Sequence, residues 1–141
     1  MTPRYEQTQH VLETRGRGLY PMGGSIDRWL GEIGAQTGLV TVFCRHTSAS
    51  LTIQENADPD VLTDLAEAFA RLAPENEPWY RHREEGPDDM PGHIRAALTD
   101  VSLGIPVCDG AMTLGTWQEV YLFEHRRQPH RRCVVFHYAG Y

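Results

Sequence analysis

The sequence predicts an α+β protein built on a mostly antiparallel β-sheet or β-sandwich with two to three helices. Strand and helix patterns follow one another in the order β-α-β-β-α-loop-α-β-β-β, which favours consecutive hairpins over parallel crossovers. The chain has 141 residues, 40% of them hydrophobic, which is enough for one core and leaves little room for a second. We therefore expect a single domain over residues 1–141.

Composition argues against several classes of function and site. The net charge is −6 and all 13 basic residues are arginines without a basic block, which is a poor pattern for nucleic-acid binding. No apolar run approaches the roughly 20 residues of a membrane helix, and the N-terminus does not resemble a signal peptide. The three cysteines are too widely spaced for a CxxC metal site or a disulfide framework. We expect a cytoplasmic protein that binds neither nucleic acid nor membrane.

Local patterns place three strands and two helices in the first half of the chain. Strands are predicted over residues 5–14, 39–45 and 51–53 from their alternation of side chains. A helix capped by Ser25 is predicted to run to residue 36 or so, with Gly38 ending it. Asp58 can cap a second helix, and Pro59 suits its first turn. That helix is expected to end near Pro74.

The second half of the chain begins with a charged, proline-rich segment over residues 74–91. A segment of this kind inside a compact domain is typical of functional or mobile loops. A helix is predicted to begin at residues 91–93, and either Asp88 or Asp89 could cap it instead of acting in catalysis. A hairpin is predicted around residues 108–110, followed by strands over residues 117–123 and 132–138.

The strand over residues 39–45 leads directly into a histidine and three hydroxyl groups. By strand alternation His46 continues the face of Val40 and Val42, so its imidazole should point towards the interior or a pocket. Thr47, Ser48 and Ser50 follow. The alternative is a polar corner whose hydroxyls satisfy the backbone, with His46 in a hydrogen-bonded structural role.

Five motifs occur in order from residue 46 onward. They are HTSASLTI at 46–53, ENADP at 55–59, EGPDDMPGHI at 85–94, the segment from Ser102 through Gly110 to GTWQ at 115–118, and EHR at 124–126. In this order and spacing they resemble the YjbQ-like proteins, also described as secondary thiamine-phosphate synthases. The resemblance covers most of the chain from residue 39 onward.

The resemblance implies a Greek-key β-sandwich assembled as a homotrimer with a metal-associated pocket. It also implies formation of thiamine phosphate from an aminopyrimidine pyrophosphate and a thiazole phosphate. It favours His46, His93 and Glu124 as catalytic residues and metal ligands, with Asp89 and His82 as further ligands. Two imidazoles and a carboxylate suit zinc, whereas a pyrophosphate substrate favours magnesium, so either divalent metal is expected.

Substrate-binding candidates come from the same motifs. They are Thr47, Ser48, Ser50, Asn56, Gln118 and Arg126. The hydroxyls can donate to phosphate and the guanidinium can add charge, although an arginine here could equally form a surface ion pair. Alternation places Gln118 and Glu124 on one face of their strand and His125 on the other, which makes His125 a weaker candidate. Glu124 could also be a solvated strand end.

Two other functions remain open at this point. One is a homotrimer that binds a metal or metabolite without catalysis, and the other is a metal-dependent phosphate-ester hydrolase that activates water.

Overall fold

The computed structural model describes residues 2–141, which form two antiparallel sheets around a shared hydrophobic core. The strands within this range are β1 (Arg4–Glu13), β2 (Gly18–Pro21), β3 (Gly38–Cys44), β4 (Ala49–Glu55), β5 (Ser102–Cys108), β6 (Ala111–Met112), β7 (Gln118–Glu124) and β8 (Arg131–Gly140). The helices are α1 (Gly23–Glu32), α2 (Pro59–Leu72) and α3 (Asp89–Leu98). One sheet has the order β1-β8-β3-β5-β6 and the other the order β2-β7-β4.

The core lies between the inner faces of the two sheets. Alternation along β3, β7 and β8 turns apolar side chains inward, including Val42, Leu122 and Phe136, each at most 1% exposed. Helix α1 adds Ile26 and Leu30 to the same cluster. Most neighbouring strands are not consecutive in the chain, as Greek-key connections require. The predicted α+β sandwich is therefore confirmed.

The outer faces of the two sheets differ in what covers them. Helices α2 and α3 lie over the three-stranded sheet, where Phe69 of α2 meets Phe123 of β7 edge to face at 5.3 Å. The outer face of the five-stranded sheet instead exposes large apolar side chains, including Leu39 and Phe43. None of the helices within residues 2–141 has the length and apolar character needed to cross a membrane.

The helix boundaries show where neighbouring residues in the sequence were enough to predict the start of a helix. Asp58 caps α2 as predicted, since its carboxylate accepts the N–H of Asp60 at 2.9 Å, and Pro59 opens the helix. The predicted start of α1 at Ser25 is wrong. The helix begins at Gly23, whose N–H donates to the Glu119 carboxylate at 2.8 Å. A Cβ on Gly23 would lie 2.2 Å from that oxygen, so the close approach favours glycine.

Two further boundaries differ from the prediction. Helix α1 ends at Glu32, because Gly34 adopts a left-handed conformation with φ of 66°. Gly38 therefore begins β3 rather than ending α1. Helix α3 begins at Asp89, before Pro91, and the Asp88 side chain makes no capping hydrogen bond to it.

Candidate functional site

A compact group of potential metal ligands lies where α3 begins. Among residues 2–141, three side chains, His82, Asp89 and His93, present ligand atoms that all lie within 4.8 Å of one another. The Oδ2 atom of Asp89 lies 2.6 Å from Nε2 of His82 and 3.1 Å from Nε2 of His93. Asp89 and His93 are four residues apart in α3 and so share one helix face.

Arg126 holds the aspartates of this group in position. Its Nη1 lies 2.8 Å from Oδ1 of Asp89, and its Nε donates to Oδ2 of Asp88 at 3.0 Å. The backbone N–H of Arg127 also donates to Asp88, at 2.9 Å. Arg126 therefore anchors one oxygen of Asp89 and leaves the other directed towards the two histidines.

The charge and exposure of the group suit a ligand that enters from solvent. Burial acts to raise the pKa of Asp89, but the His82 hydrogen bond and the Arg126 and His93 charges hold it below its ordinary value. Asp89 is therefore ionised at neutral pH. The side chains of His82 and His93 are 39% and 35% exposed, whereas that of Asp89 is 3% exposed. The histidines thus form the accessible rim of the group.

This donor set fits a divalent transition metal. Two imidazole nitrogens and one carboxylate oxygen are a known three-ligand zinc arrangement, which leaves a further position for water or substrate. Magnesium prefers oxygen ligands and is a poorer match to two imidazoles. The set contains His93 and the two further predicted ligands, Asp89 and His82, and it leaves out His46 and Glu124.

Glu124 lies in a closed environment, which argues against its predicted catalytic and metal-binding role. Its side chain is 0% exposed. Oε1 accepts hydrogen bonds from Thr14 Oγ1 and Arg132 Nε, both at 2.7 Å, and Oε2 accepts the N–H of His125 at 3.0 Å. Burial acts to raise the pKa of Glu124, but the Arg132 and Thr14 hydrogen bonds lower it overall. Glu124 thus forms a buried ion pair with Arg132.

His46 lies half-buried in the wall of a separate cavity of about 560 Å³, in agreement with the alternation of its strand. Its Nε2 accepts the backbone N–H of Cys133 at 2.8 Å, so that lone pair is occupied. Burial and the charge of Arg132 lower the pKa of His46, which keeps the ring neutral. His46 is not part of the three-ligand group, and its Nδ1, which carries the proton of the neutral ring, can only donate a hydrogen bond.

The three hydroxyl groups after His46 have different environments. Thr47 is exposed and Ser48 is half-buried, and both line the His46 cavity. Ser48 Oγ accepts a hydrogen bond from Arg132 at 3.0 Å. Ser50 is 1% exposed and is bonded to His125 Nε2 at 2.8 Å and to Thr99 Oγ1 at 2.6 Å. Ser50 therefore cannot contact a substrate, contrary to its predicted role.

Asn56 and Gln118 lie at the opposite end of β4 and β7 from the histidine groups. In the strand register Gln118 faces Glu55 and Glu124 faces Ala49, so the two ends of β7 are about 20 Å apart. Gln118 Oε1 accepts the N–H of Gly115 at 2.8 Å, and the exposed Asn56 donates its backbone N–H to Trp117. Within one chain these two residues cannot join the site around α3.

Sequence reasoning did not single out Arg132 and ranked His125 as a weaker candidate, and both residues are buried near this site. Arg132 shares the inward phase of Val134 and Phe136 on β8, and that alternation could have identified it as a partner for Glu124. His125 follows the last residue of β7 and is 0% exposed, so strand alternation does not apply to it. Burial and the nearby Arg95 charge lower the pKa of His125 to about 3, which makes it a neutral structural residue.

Comparisons with known proteins support the family resemblance that the sequence motifs indicated. The family described as UPF0047 protein YjbQ-like matches residues 7–141. A UPF0047 protein of Synechocystis sp. is 55% identical over 139 residues, covering 99% of this chain and 95% of that protein. The UPF0047 protein YjbQ of Salmonella typhimurium is 43% identical over 126 residues, covering 89% and 91%.

Solved structures give the same result for the fold. A YjbQ/UPF0047 family protein from Clostridium acetobutylicum has a TM-score of 0.83 at 33% identity, covering 91% of this chain and 97% of that one. A YbjQ-like protein from Sulfolobus solfataricus has a TM-score of 0.89 at 16% identity, covering 99% and 100%, which shows a shared fold alone.

Proposed function

Because the chain belongs to the YjbQ-like UPF0047 family, we propose that it is a secondary thiamine-phosphate synthase-type transferase. In this reaction the thiazole ring nitrogen forms a bond to the methylene carbon of the aminopyrimidine. The bond from that carbon to the pyrophosphate oxygen breaks, and pyrophosphate leaves with the electron pair. The observation that carries the proposal is the group of His82, Asp89 and His93, which offers a divalent metal site at a solvent-accessible edge.

A zinc or magnesium ion bound by His82, Asp89 and His93 would supply charge to neutralise the leaving pyrophosphate. Arg126 orients Asp89 through its contact with Oδ1 and fixes the start of α3 through Asp88. Such supporting contacts commonly set metal affinity.

The cavity beside His46 supplies a second part of the proposed site. Thr47, Ser48 and Arg45 line it together with Arg132, whose charge is already paired with Glu124, so hydroxyl donors and the Arg45 guanidinium meet in one place. Ser48 accepts from Arg132 and still has its own hydroxyl hydrogen to donate to a phosphate oxygen. The cavity lies next to α3, since a Cβ on Gly92 would be 3.7 Å from Cβ of Ser48. The phosphate of a substrate is expected to bind here.

The proposal includes a homotrimer. The outer face of the five-stranded sheet exposes Tyr5, Leu39 and Phe43, and Trp117, just before β7, is 62% exposed. Large apolar side chains grouped on an uncovered sheet face are typical of subunit contacts. Sedimentation should therefore give a trimer, and Phe43→Arg should dissociate it. Leu98→Arg, a similarly exposed apolar position on α3, serves as the control.

The test of the synthase activity is direct. Purified protein is incubated with the aminopyrimidine pyrophosphate, the thiazole phosphate, and zinc or magnesium, and thiamine phosphate is measured. We expect product with the wild type and with His137→Ala, whose imidazole bonds Gln7 on the sheet edge. We expect none with His93→Ala. Equal product formation by the wild type and His93→Ala would contradict the proposal.

The open coordination position also favours one alternative, a metal-dependent phosphate-ester hydrolase. Three protein ligands with two accessible histidines leave room for an activated water. Release of phosphate from simple esters at saturating zinc, without formation of thiamine phosphate, would identify that function instead.

A further inference from the structure

A second cavity, of about 590 Å³, lies between α2 and the outer face of the three-stranded sheet. Its walls come from α2, from the segment leading into β2, from Phe123 of β7 and from Arg95 of α3. None of its lining residues belongs to the histidine group or to the cavity beside His46. Its volume is within the range of small-molecule pockets.

The cavity has an apolar wall because α2 packs loosely on the sheet. The α2 stripe contains no fully buried residue, although the helix is clearly amphipathic. The small side chains of Ala66 and Ala70 face the cavity together with Leu62, since these positions repeat every four residues. Leu19 and Phe123, which pair across β2 and β7, form the opposite wall.

Arg95 places a buried positive charge at this apolar wall. The residue is 5% exposed, and its Nε has no hydrogen-bond partner within residues 2–141. None of the ion pairs in the described chain includes Arg95. A guanidinium remains charged in proteins, and burying it without a counter-ion is costly. Burial and the neighbouring Arg17 charge lower the pKa of Arg95 overall, against the opposing effect of the Glu75 charge.

The other charged groups of the cavity already have partners. Arg17 pairs with Glu75, and its Nε donates to the carbonyl of His125 at 3.2 Å. Glu67 pairs with Arg71 at 3.1 Å on the exposed side of α2. Glu75 is near enough to Arg95 to favour its charged form, but that carboxylate already pairs with Arg17 and lies 3.5 Å from Arg127, so positive charge is in excess at the cavity.

We propose that this cavity binds a small organic carboxylate with an apolar body, whose carboxylate pairs with Arg95 and whose body lies against α2, Leu19 and Phe123. The excess positive charge around Arg95 matches an anion with a single carboxylate. A bidentate contact to the guanidinium satisfies the buried donors, and the apolar body fills the space that α2 leaves open.

The experiment compares three probes on the full chain: octanoate, 1-octanol and acetate. Binding is followed by the melting temperature and by methyl NMR shifts of Leu19, Leu62, Ala66 and Ala70. We expect octanoate to raise the melting temperature and to shift these methyl groups. Octanol, which has the tail without the charge, and acetate, which has the charge without the tail, should do neither at the same concentration.

Two variants test the two halves of the site separately. Arg95→Gln should weaken octanoate binding by about tenfold or more, since it removes a charged hydrogen-bond donor pair. Ala66→Phe should abolish binding by filling the cavity while leaving Arg95 in place. Arg71→Gln, an exposed arginine on α2, is the matched control and should bind octanoate as the wild type does.

Three results would overturn the proposal: no binding of octanoate to the wild type, equal binding of octanoate and octanol, or unchanged octanoate affinity in a folded Arg95→Gln. If Arg95→Gln does not fold, unchanged affinity in Ala66→Phe overturns it on its own. Zinc binding and synthase activity of the variants are measured in parallel, so this proposal can fail independently of the proposed function.

Discussion

Two carboxylates in this protein are held by arginines, yet their surroundings give them opposite roles. Glu124 is fully buried, and Arg132, Thr14 and backbone N–H groups occupy both of its oxygens. Asp89 is held by Arg126 through one oxygen, while its other oxygen faces two half-exposed histidines. Both oxygens of Glu124 are therefore enclosed, whereas one oxygen of Asp89 lies beside two accessible imidazoles, as the proposed metal site requires.

The largest expected effect that tests this comparison is the loss of the buried charge. Glu124→Gln should lower the free energy of unfolding by about 3–5 kcal/mol, because Arg132 would be left as an unpaired buried charge. Glu67→Gln, which breaks an exposed ion pair on α2, should change it by less than about 1 kcal/mol. Urea unfolding measures both. Similar changes in the free energy of unfolding for the two variants would show that solvent reaches the ion pair of Glu124 and Arg132.

The second expected effect concerns the solvent-accessible group of His82, Asp89 and His93. His93→Ala should weaken zinc binding by more than about 100-fold, beyond what loss of a supporting contact typically causes, while the melting temperature of the metal-free protein changes little. Calorimetric titration with zinc measures the affinity, with His137→Ala as the control. If a folded Glu124→Gln lost zinc binding while His93→Ala kept it, the different roles assigned to Glu124 and to the group of His82, Asp89 and His93 would be contradicted.

A smaller effect is expected from Arg126, which contacts Asp89 without offering a ligand itself. Arg126→Gln should weaken zinc binding by about 10–100-fold, since such supporting contacts orient the ligand. The same titration measures this change. Affinity equal to that of the wild type would mean that Arg126 stabilises the loop alone and does not position Asp89.

The last expected effect is a dependence of stability on pH, which is small near neutral pH and grows as the pH falls. The pKa of His125 is about 3 in the folded chain and about 6.5 when unfolded, so only the unfolded state gains the proton in between. The contribution of His125 to the free energy of unfolding is therefore fully present above pH 6.5 and is lost as the pH falls towards 3. The slope approaches about 1.4 kcal/mol per pH unit. Asp88, Asp89 and Glu124 have pKa values lowered below their ordinary acidic range, so they do not titrate between pH 5 and 7.

Urea unfolding between pH 7 and 5 measures this slope in the wild type and in His125→Asn. The histidines with lowered pKa values at positions 10 and 46 act in the same direction and are common to both proteins. The difference between the two slopes therefore isolates His125. Equal slopes would show that His125 is not buried as a neutral ring.

Sequence reasoning succeeded where a local signal determines the structure. The Asp58–Pro59 pair and the alternation in β3 and β8 act within a few residues, and the structure has these elements where they were predicted. The start of α1 could not be found in this way. Its first N–H is satisfied by Glu119, 96 residues later, and only the folded sheet brings that carboxylate to the helix.

The candidate site was also predictable only where its residues lie close together in the sequence. Asp89 and His93 have helical spacing, and the pair was obscured because the helix was predicted to begin after Asp89. His82 reaches them from an irregular loop, so its contact depends on the path of that loop. The sequence motif alone does not distinguish a Glu124 that binds a metal from one that has a structural role. Only the burial of Glu124 against Arg132 in the folded chain identifies it as structural.

The anchoring of Asp88 and Asp89 by Arg126 also bears on how the site forms during synthesis. His82, Asp89 and His93 lie within 12 residues of sequence, but Arg126 follows them by more than 30 residues. Until Arg126 is synthesised, the adjacent carboxylates of Asp88 and Asp89 lack their common counter-charge. A growing chain therefore contains His82, Asp89 and His93 well before Arg126 is available to fix Asp89, so the final geometry of this group depends on a late part of the sequence.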